Sequence, residues 1–366
     1  MRFWLFILTL AGIIQAGQIR ACAAINNIAY GGFAFVGNVA DAKEAYPYCS
    51  QLGIESFEKT TISVIDRMLD SKDFRPYQLT KGLARMDETA SVMAVALMDE
   101  SIFRESFGDV HKLVINLGFE ILILDFKTME VRSSIPIYLE FIDSKKEPFS
   151  DAEIVQAIRH IITENGCAFE TTLTAKLSKI SIRDHNAATL QVTEVVLGEK
   201  FLSFMPEHAR NSGAIFQKSI AARFAALLGT RAGVSMLPYA KDGLNTKMAL
   251  RFTDASVLKF SIPAPTFAIS LNAKGFKKVK SKEMPTEILY IYGSYLGVKV
   301  YEPEFNSVFY TGTAKYPVSK IIPASSKGYD EYPILNEALT GSIIEAITLI
   351  TSDKTTNDKV ISKCIQ

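Results

Sequence analysis

The chain is poor in the residues that most often carry chemistry. Its 366 residues include four cysteines, four histidines and one tryptophan. No HExxH motif occurs, and in Asp184-His185 and Glu207-His208 the partners are chain neighbours, which seldom converge on one ion. No metal and no cofactor is therefore expected. Gly233-Val234-Ser235 begins like a nucleophile elbow, but Leu237 stands where the second glycine belongs. Tyr30-Gly31-Gly32-Phe33 matches neither phosphate-binding loop, and a bulge or a close backbone approach accounts for its glycines. An excess of charge is missing too. Lys and Arg number 40 against 39 Asp and Glu, which leaves no global field for steering onto nucleic acid. With 48% hydrophobic and 22% charged residues, the composition excludes a disordered chain, a collagen-like fibre and a disulfide-stapled miniprotein. At roughly 150 residues per domain, the length fits about two domains.

Long apolar runs are confined to the start. Residues 1–23 carry Arg2, an apolar run from Phe3 to Ile14, and the small-x-small site Ala21-Cys22-Ala23. This pattern is that of a secretory signal peptide with cleavage near Ala23, and it places the mature protein in the periplasm or outside the cell. Loss of Arg2 and Arg20 leaves acidic and basic residues near balance. No later window holds 18 uninterrupted apolar residues, so no transmembrane helix is expected in the mature chain. Acylation of Cys22 is an alternative fate; Ile19 and Ala21 fit a lipoprotein signal, and Arg20 does not. Cys49, Cys167 and Cys364 would remain. They allow three pairings, with buried structural thiols as the preferred reading.

The rest reads as two copies of one unit. Ser56-Phe57-Glu58-Lys59 opens an apolar-periodic stretch to Leu69, and Ile215-Phe216-Gln217-Lys218 opens a similar one to Leu228. Phe119–Phe126 and Tyr295–Glu302 both alternate as strands. Each leads through a polar turn to a second strand, Val131–Ile142 or Ser307–Val318, and then to a helix through Ile154 or Ile343. Asn27–Val39 and Leu190–Phe204 make matching first strands. The order is strand, helix, strand, a long segment, strand, turn, strand, helix. The predicted fold is α/β with an α+β-like character: two similar mixed-sheet domains, helices packed on each sheet, arising by internal duplication. The boundaries are 1–23 for the signal peptide, 24–165 and 180–350 for the domains, and 351–366 for a C-terminal tail.

Phe216–Tyr239 and Tyr295–Val318 carry a resemblance. In an exported chain, their order of elements resembles the curli-secretion-channel and penicillin-binding-protein-activator lipoproteins. It is also similar to the N-terminal domain of the Tol-system propeller protein. The resemblance implies a non-catalytic envelope protein that acts by contacting another envelope protein or itself. No long amphipathic insertion is visible, so a secretion pore is not expected.

Two segments are candidate contact surfaces. Lys274, Lys277, Lys278, Lys280 and Lys282 crowd one stretch, read either as a basic patch for an acidic partner or as a lysine-protected strand edge. Residues 315–332 read as a long surface loop offering Tyr316, Tyr329 and Tyr332. A binder is favoured over an enzyme; the alternative is a periplasmic hydrolase with a site assembled from distant residues.

Overall fold

The computed structural model describes residues 27–36, 43, 45–71, 78–81, 91–107, 109–125, 127–164, 166–178, 180, 187–205, 210, 213–240, 247–251, 257–324 and 331–365. The leader 1–23 with Cys22 and Ala23, and also Tyr329, His185 and His208, lie outside these residues.

Three long strands dominate each half. β1 (Asn27–Val36) leads through α1 (Cys49–Leu52), α2 (Ile54–Ser71) and β2 (Gln78–Lys81) to β3 (Ser91–Phe107), β4 (Val110–Asp125) and β5 (Glu130–Lys145). Helices α3 (Asp151–Thr163) and α4 (Ala168–Leu177) follow. β6 (Leu190–Leu197) starts the second round. It runs through α5 (Glu199–Leu202), α6 (Gly213–Ala232), β7 (Met236–Leu237), β8 (Lys247–Arg251) and β9 (Val257–Ser261). β10 (Phe267–Glu283), β11 (Glu287–Glu302), β12 (Ser307–Pro323) and α7 (Tyr332–Ser352) complete it. The long unassigned segment of each half thus ends in a 17-residue strand, β3 or β10.

In both halves the first strand lies parallel to the first long strand, and the three long strands form an antiparallel meander. A parallel neighbour needs a crossover, which the amphipathic helix supplies. In α2, Phe57, Val64, Ile65 and Met68 recur at helical spacing and are buried. At α3, Ser150 and Glu153 form a reciprocal capping box that fixes where the helix starts.

The halves also share their irregularities. An extra residue bulges at Gly31 and Thr193 in the first strands, at Met98 and Lys274 in β3 and β10, and at Arg132 and Phe309 in β5 and β12. The turn before β5 contains left-handed Met129 (φ 54°), and the turn before β12 contains left-handed Asn306 (φ 51°). Each bulge reverses the face taken by the side chains after it. Without the bulge at Lys274, Phe276 would point away from the core in which it stacks on Phe201, with centroids 4.7 Å apart.

All twelve strands join one sheet, in the order β12-β11-β10-β6-β7-β5-β4-β3-β1-β8-β9, with β2 beside β1. β7 is the hinge between the half-sheets, pairing Met236 with both Leu190 and Ser134. The helical face of the first half packs Phe33, Phe57, Phe119 and Phe169 together. Its outer face is lined by Ala29, Ala34, Ala94 and Ala96, small enough for the β8–β9 hairpin to lie across them with Leu250 and Phe260. That hairpin pairs with β1 and returns to β5 at Ser261 and Glu130. The second half buries Leu271, Tyr292, Leu296 and Val298 under Phe224 of α6 and Ile343 and Ile347 of α7.

Several sequence expectations need correction. β6 stops at Leu197, and residues 199–202 turn into α5 rather than extending the strand. The expected loop 315–332 is strand as far as Pro323, and Tyr332 already begins α7. Residues 351–365, within the C-terminal tail, pack onto the second half. α7 reaches Ser352, helical turns continue to Cys364, and Val360, Ile361 and Cys364 are buried in the second core. Among the described helices, α7 is long and apolar enough to cross a membrane by length and composition, yet Ile334, Leu339, Ile343 and Ile350 are buried within this fold. Cys49, Cys167 and Cys364 are buried free thiols.

Candidate functional site

The lysine cluster lies on β10, and pleating divides it between two faces. Lys278 and Lys280 stand opposite Tyr292 and Tyr290 of β11 on the helical face. There Lys278 pairs with Glu331, and its ammonium lies 4.3 Å from the Tyr290 ring centroid. Lys280 pairs with Glu283, and Lys320 of β12 with Glu337 at 3.0 Å. Every described lysine on this side thus has a carboxylate. The cluster is therefore neither a single basic patch nor a plain strand edge.

The outer face is different. Cross-strand register places Lys277, Lys282, Lys299 and Lys315 there, with Lys274 at the bulge. Lys274 donates to Thr313 at 2.8 Å, and Lys299 sits 4.6 Å from the Tyr301 ring centroid. Among the described residues, none of these five lysines has a carboxylate partner within ion-pair distance. The acids on this face of the four strands are Glu194, which accepts from Ser270, and Glu287 at the far end. Gly293 and Gly297 flatten the middle of β11, with Tyr295 over the first and Lys274 over the second. In the first half the same face is covered by the β8–β9 hairpin. In the second half no described element covers it, so Ser270, Asn272, Tyr295 and Tyr301 remain partly exposed.

Two of the tyrosines expected to meet a partner, Tyr316 and Tyr332, also make contacts within the fold, and Tyr316 remains 41% exposed. Tyr316 lies against Gly341 of α7, where even a Cβ would collide with its ring. Tyr332 packs its ring 6.1 Å from Phe103 and 5.5 Å from the ammonium of Lys112, linking α7 to the first half. Of the described candidate contact residues, Lys277 and Lys282 lie on the open face with Lys274 at the bulge, whereas Lys278 and Lys280 lie on the helical face. Tyr295, Lys299 and Tyr301 of β11 and Lys315 of β12 were missed as parts of one surface because only the sheet brings them beside Lys277 of β10.

Comparisons with solved structures return likenesses that each cover about half of this chain. A Helicobacter pylori homologue of neuraminyllactose-binding hemagglutinin is 11% identical, covering 50% of this chain and 97% of its own, with a TM-score of 0.31. A minor lipoprotein from Acinetobacter baumannii is 9% identical, covering 42% of this chain and 91% of its own, with a TM-score of 0.24. Rare lipoprotein B from Shewanella oneidensis is 10% identical, covering 42% and 94%, with a TM-score of 0.22. No protein-family model and no curated protein sequence matches the chain.

A second polar cluster sits at the seam. Arg223 of α6 is buried and donates to Asn336 Oδ1 at 2.7 Å, Thr340 Oγ1 at 2.8 Å and Tyr138 OH at 2.8 Å. Asn336 in turn donates to Glu140 at 3.0 Å. Four hydrogen bonds among five side chains of β5, α6 and α7 thus lock the halves together. Two adjoining clefts of about 430 and 360 Å³ share Pro136, Lys176, Ala226 and Thr230; Ala175 and Gly229 line the first, and Tyr138, Glu140, Arg223, Asn336 and Thr340 of this cluster line the second. Behind the seam, burial pushes Glu120 up to about 8, with Ser134 partly offsetting it. Burial likewise raises Asp99 to about 6, against the hydrogen bond from Ser101 and the charge of Lys218. Ser106 and His111 hydrogen-bond at 2.8 Å, exposed at the β3–β4 hairpin end rather than in a cleft. Among the described residues no group of three His, Cys, Asp or Glu is placed to hold a metal ion.

Proposed function

We propose that this is an exported, non-catalytic envelope protein that acts by contact with another envelope protein or a second copy of itself. The open outer face of β10, β11 and β12 is its contact surface. The observation that carries this reading is the difference between the two faces of β10. Lysines on the helical face are neutralised by Glu331, Glu283 and Glu337, whereas Lys277, Lys282, Lys299 and Lys315 are left without carboxylates. Charge without an internal partner is charge available to an acidic surface. The leader pattern at residues 1–23 supports export. The shared bulges and left-handed turn residues support descent of both halves from one duplicated module, and the order of elements supports kinship with the curli-channel and Tol-type modules.

In this reading the first half spends its outer face on holding the β8–β9 hairpin, and the second keeps the equivalent face free. The test is affinity capture from the envelope fraction with mature protein and a K299E/K315E variant. A reproducible partner, lost in the variant while the thermal melt is unchanged, is expected. Turnover of ester, peptide or glycan substrates without any captured partner would reverse the reading.

A further inference from the structure

The far end of the open face differs from the rest. β6 pairs only as far as Ala273, so beyond that point, among the described residues, β10 has β11 as its only strand neighbour. Residues 274–283, 287–296 and 314–323 therefore run on as a three-stranded tongue. α7 covers its helical side through Tyr316 against Gly341 and Lys320 with Glu337. On the outer side, Val279 stands opposite Ile291, and Leu289 stands opposite Ile321. Val279 is 41% exposed and Ile321 60% exposed, while Leu289 and Ile291 are half-buried. Four aliphatic side chains from three strands thus form one apolar patch facing solvent. Lys277, Lys282 and Lys315 surround it, with Glu287 and Pro323 at the tip.

Apolar side chains ringed by unneutralised lysines fit the boundary between headgroups and acyl chains. The aliphatic groups leave water there, and the ammonium groups stay with phosphate. We infer that this end of the tongue docks on an anionic phospholipid surface, with Val279, Leu289, Ile291 and Ile321 inserting and Lys277, Lys282 and Lys315 contacting phosphates. The inference rests on export and on the open face being the contact surface. It adds the partner met by the distal third of that face.

Two double variants remove equal charge from opposite faces: K277Q/K315Q on the outer face and K280Q/K320Q on the helical face. Mature protein is sedimented with vesicles of phosphatidylglycerol and phosphatidylcholine, and with phosphatidylcholine alone. Binding to the anionic vesicles is expected. It should fall about thirtyfold in K277Q/K315Q, at roughly 1 kcal/mol per lysine near the surface. K280Q/K320Q should stay within about twofold of wild type. V279S/I321S, which changes only exposed side chains, should lose about tenfold. The inference is overturned by absent vesicle binding, by equal losses in the two lysine doubles, or by V279S/I321S binding like wild type. It is overturned equally by retention on an acidic polysaccharide without any on vesicles. If vesicle binding fails while envelope capture still depends on Lys299 and Lys315, the contact function stands and only the lipid assignment falls.

Discussion

Replacing Glu120 with glutamine should remove a pH dependence that the wild-type protein carries. Glu120 lies on the outer face of β4, between Ala96 of β3 and Pro136 of β5, and is 6% exposed. Its Oε2 has no hydrogen-bond partner. Burial raises its pKa from the ordinary 4.5 to about 8. Below about pH 4.5 the carboxyl is neutral in folded and unfolded chains alike, and the stability it permits is fully present. Between that point and about pH 8 only the unfolded chain ionises, so stability falls by about 1.4 kcal/mol per pH unit. Above about pH 8 both states ionise and the loss levels off. The full span is about 5 kcal/mol as an upper bound, and water entry or local relaxation would reduce it to a few. Glu58, Asp99 and Glu100 are also raised by burial and add losses of the same sign, so the quantity to measure is the difference between variant and wild type. Urea unfolding at intervals from pH 5 to 9 supplies it. Glutamine mimics the protonated acid, so E120Q should match wild type near pH 5 and exceed it progressively toward pH 8. Parallel curves for the two proteins would refute the assignment of a buried, under-bonded carboxyl at this site.

Other expectations follow from contacts at the seam and under α7. Gly341→Ala should cost about 1–3 kcal/mol by driving a Cβ into the Tyr316 ring, and much of that should return in the G341A/Y316A double variant, measured by chemical denaturation. An additive double variant would mean that the ring does not rest on this glycine. Arg223→Met should lower stability by about 3 kcal/mol, because Tyr138, Asn336 and Thr340 lose the donor that joins them. R223K should not restore it, since a single ammonium cannot reproduce the planar fork that reaches three acceptors.

Much of the fold was legible along the chain. Helical periodicity marked α2 and α6 because their apolar faces meet the sheet every three or four residues. The hairpins β4–β5 and β11–β12 showed as paired alternating runs around short turns. β3 and β10 were missed for one physical reason. A bulge at Met98 or Lys274 shifts the two-residue period midway, and a second irregularity between Lys280 and Lys282 shifts it again. The lysine-rich half of β10 therefore looked like a loop or an edge. Residues 315–323 looked like a loop because prolines interrupt them, but Pro317 and Pro323 lie in β12, the outermost strand of the sheet, where a missing N–H need not break a ladder.

The amino-acid order alone determined the class of the protein. It set the α/β order of elements and the absence of recognised catalytic spacings, because these depend on local periodicity and short motifs. Tertiary structure alone decided which lysines are spent and which are free. Lys278 meets Glu331 across 53 positions and Lys320 meets Glu337 on the next helix, while Lys277, one residue from Lys278, points the other way. A strand sends neighbours to opposite faces, and what waits on each face comes from segments far apart in the chain. The division of the lysines between the two faces was therefore fixed by packing and not by composition.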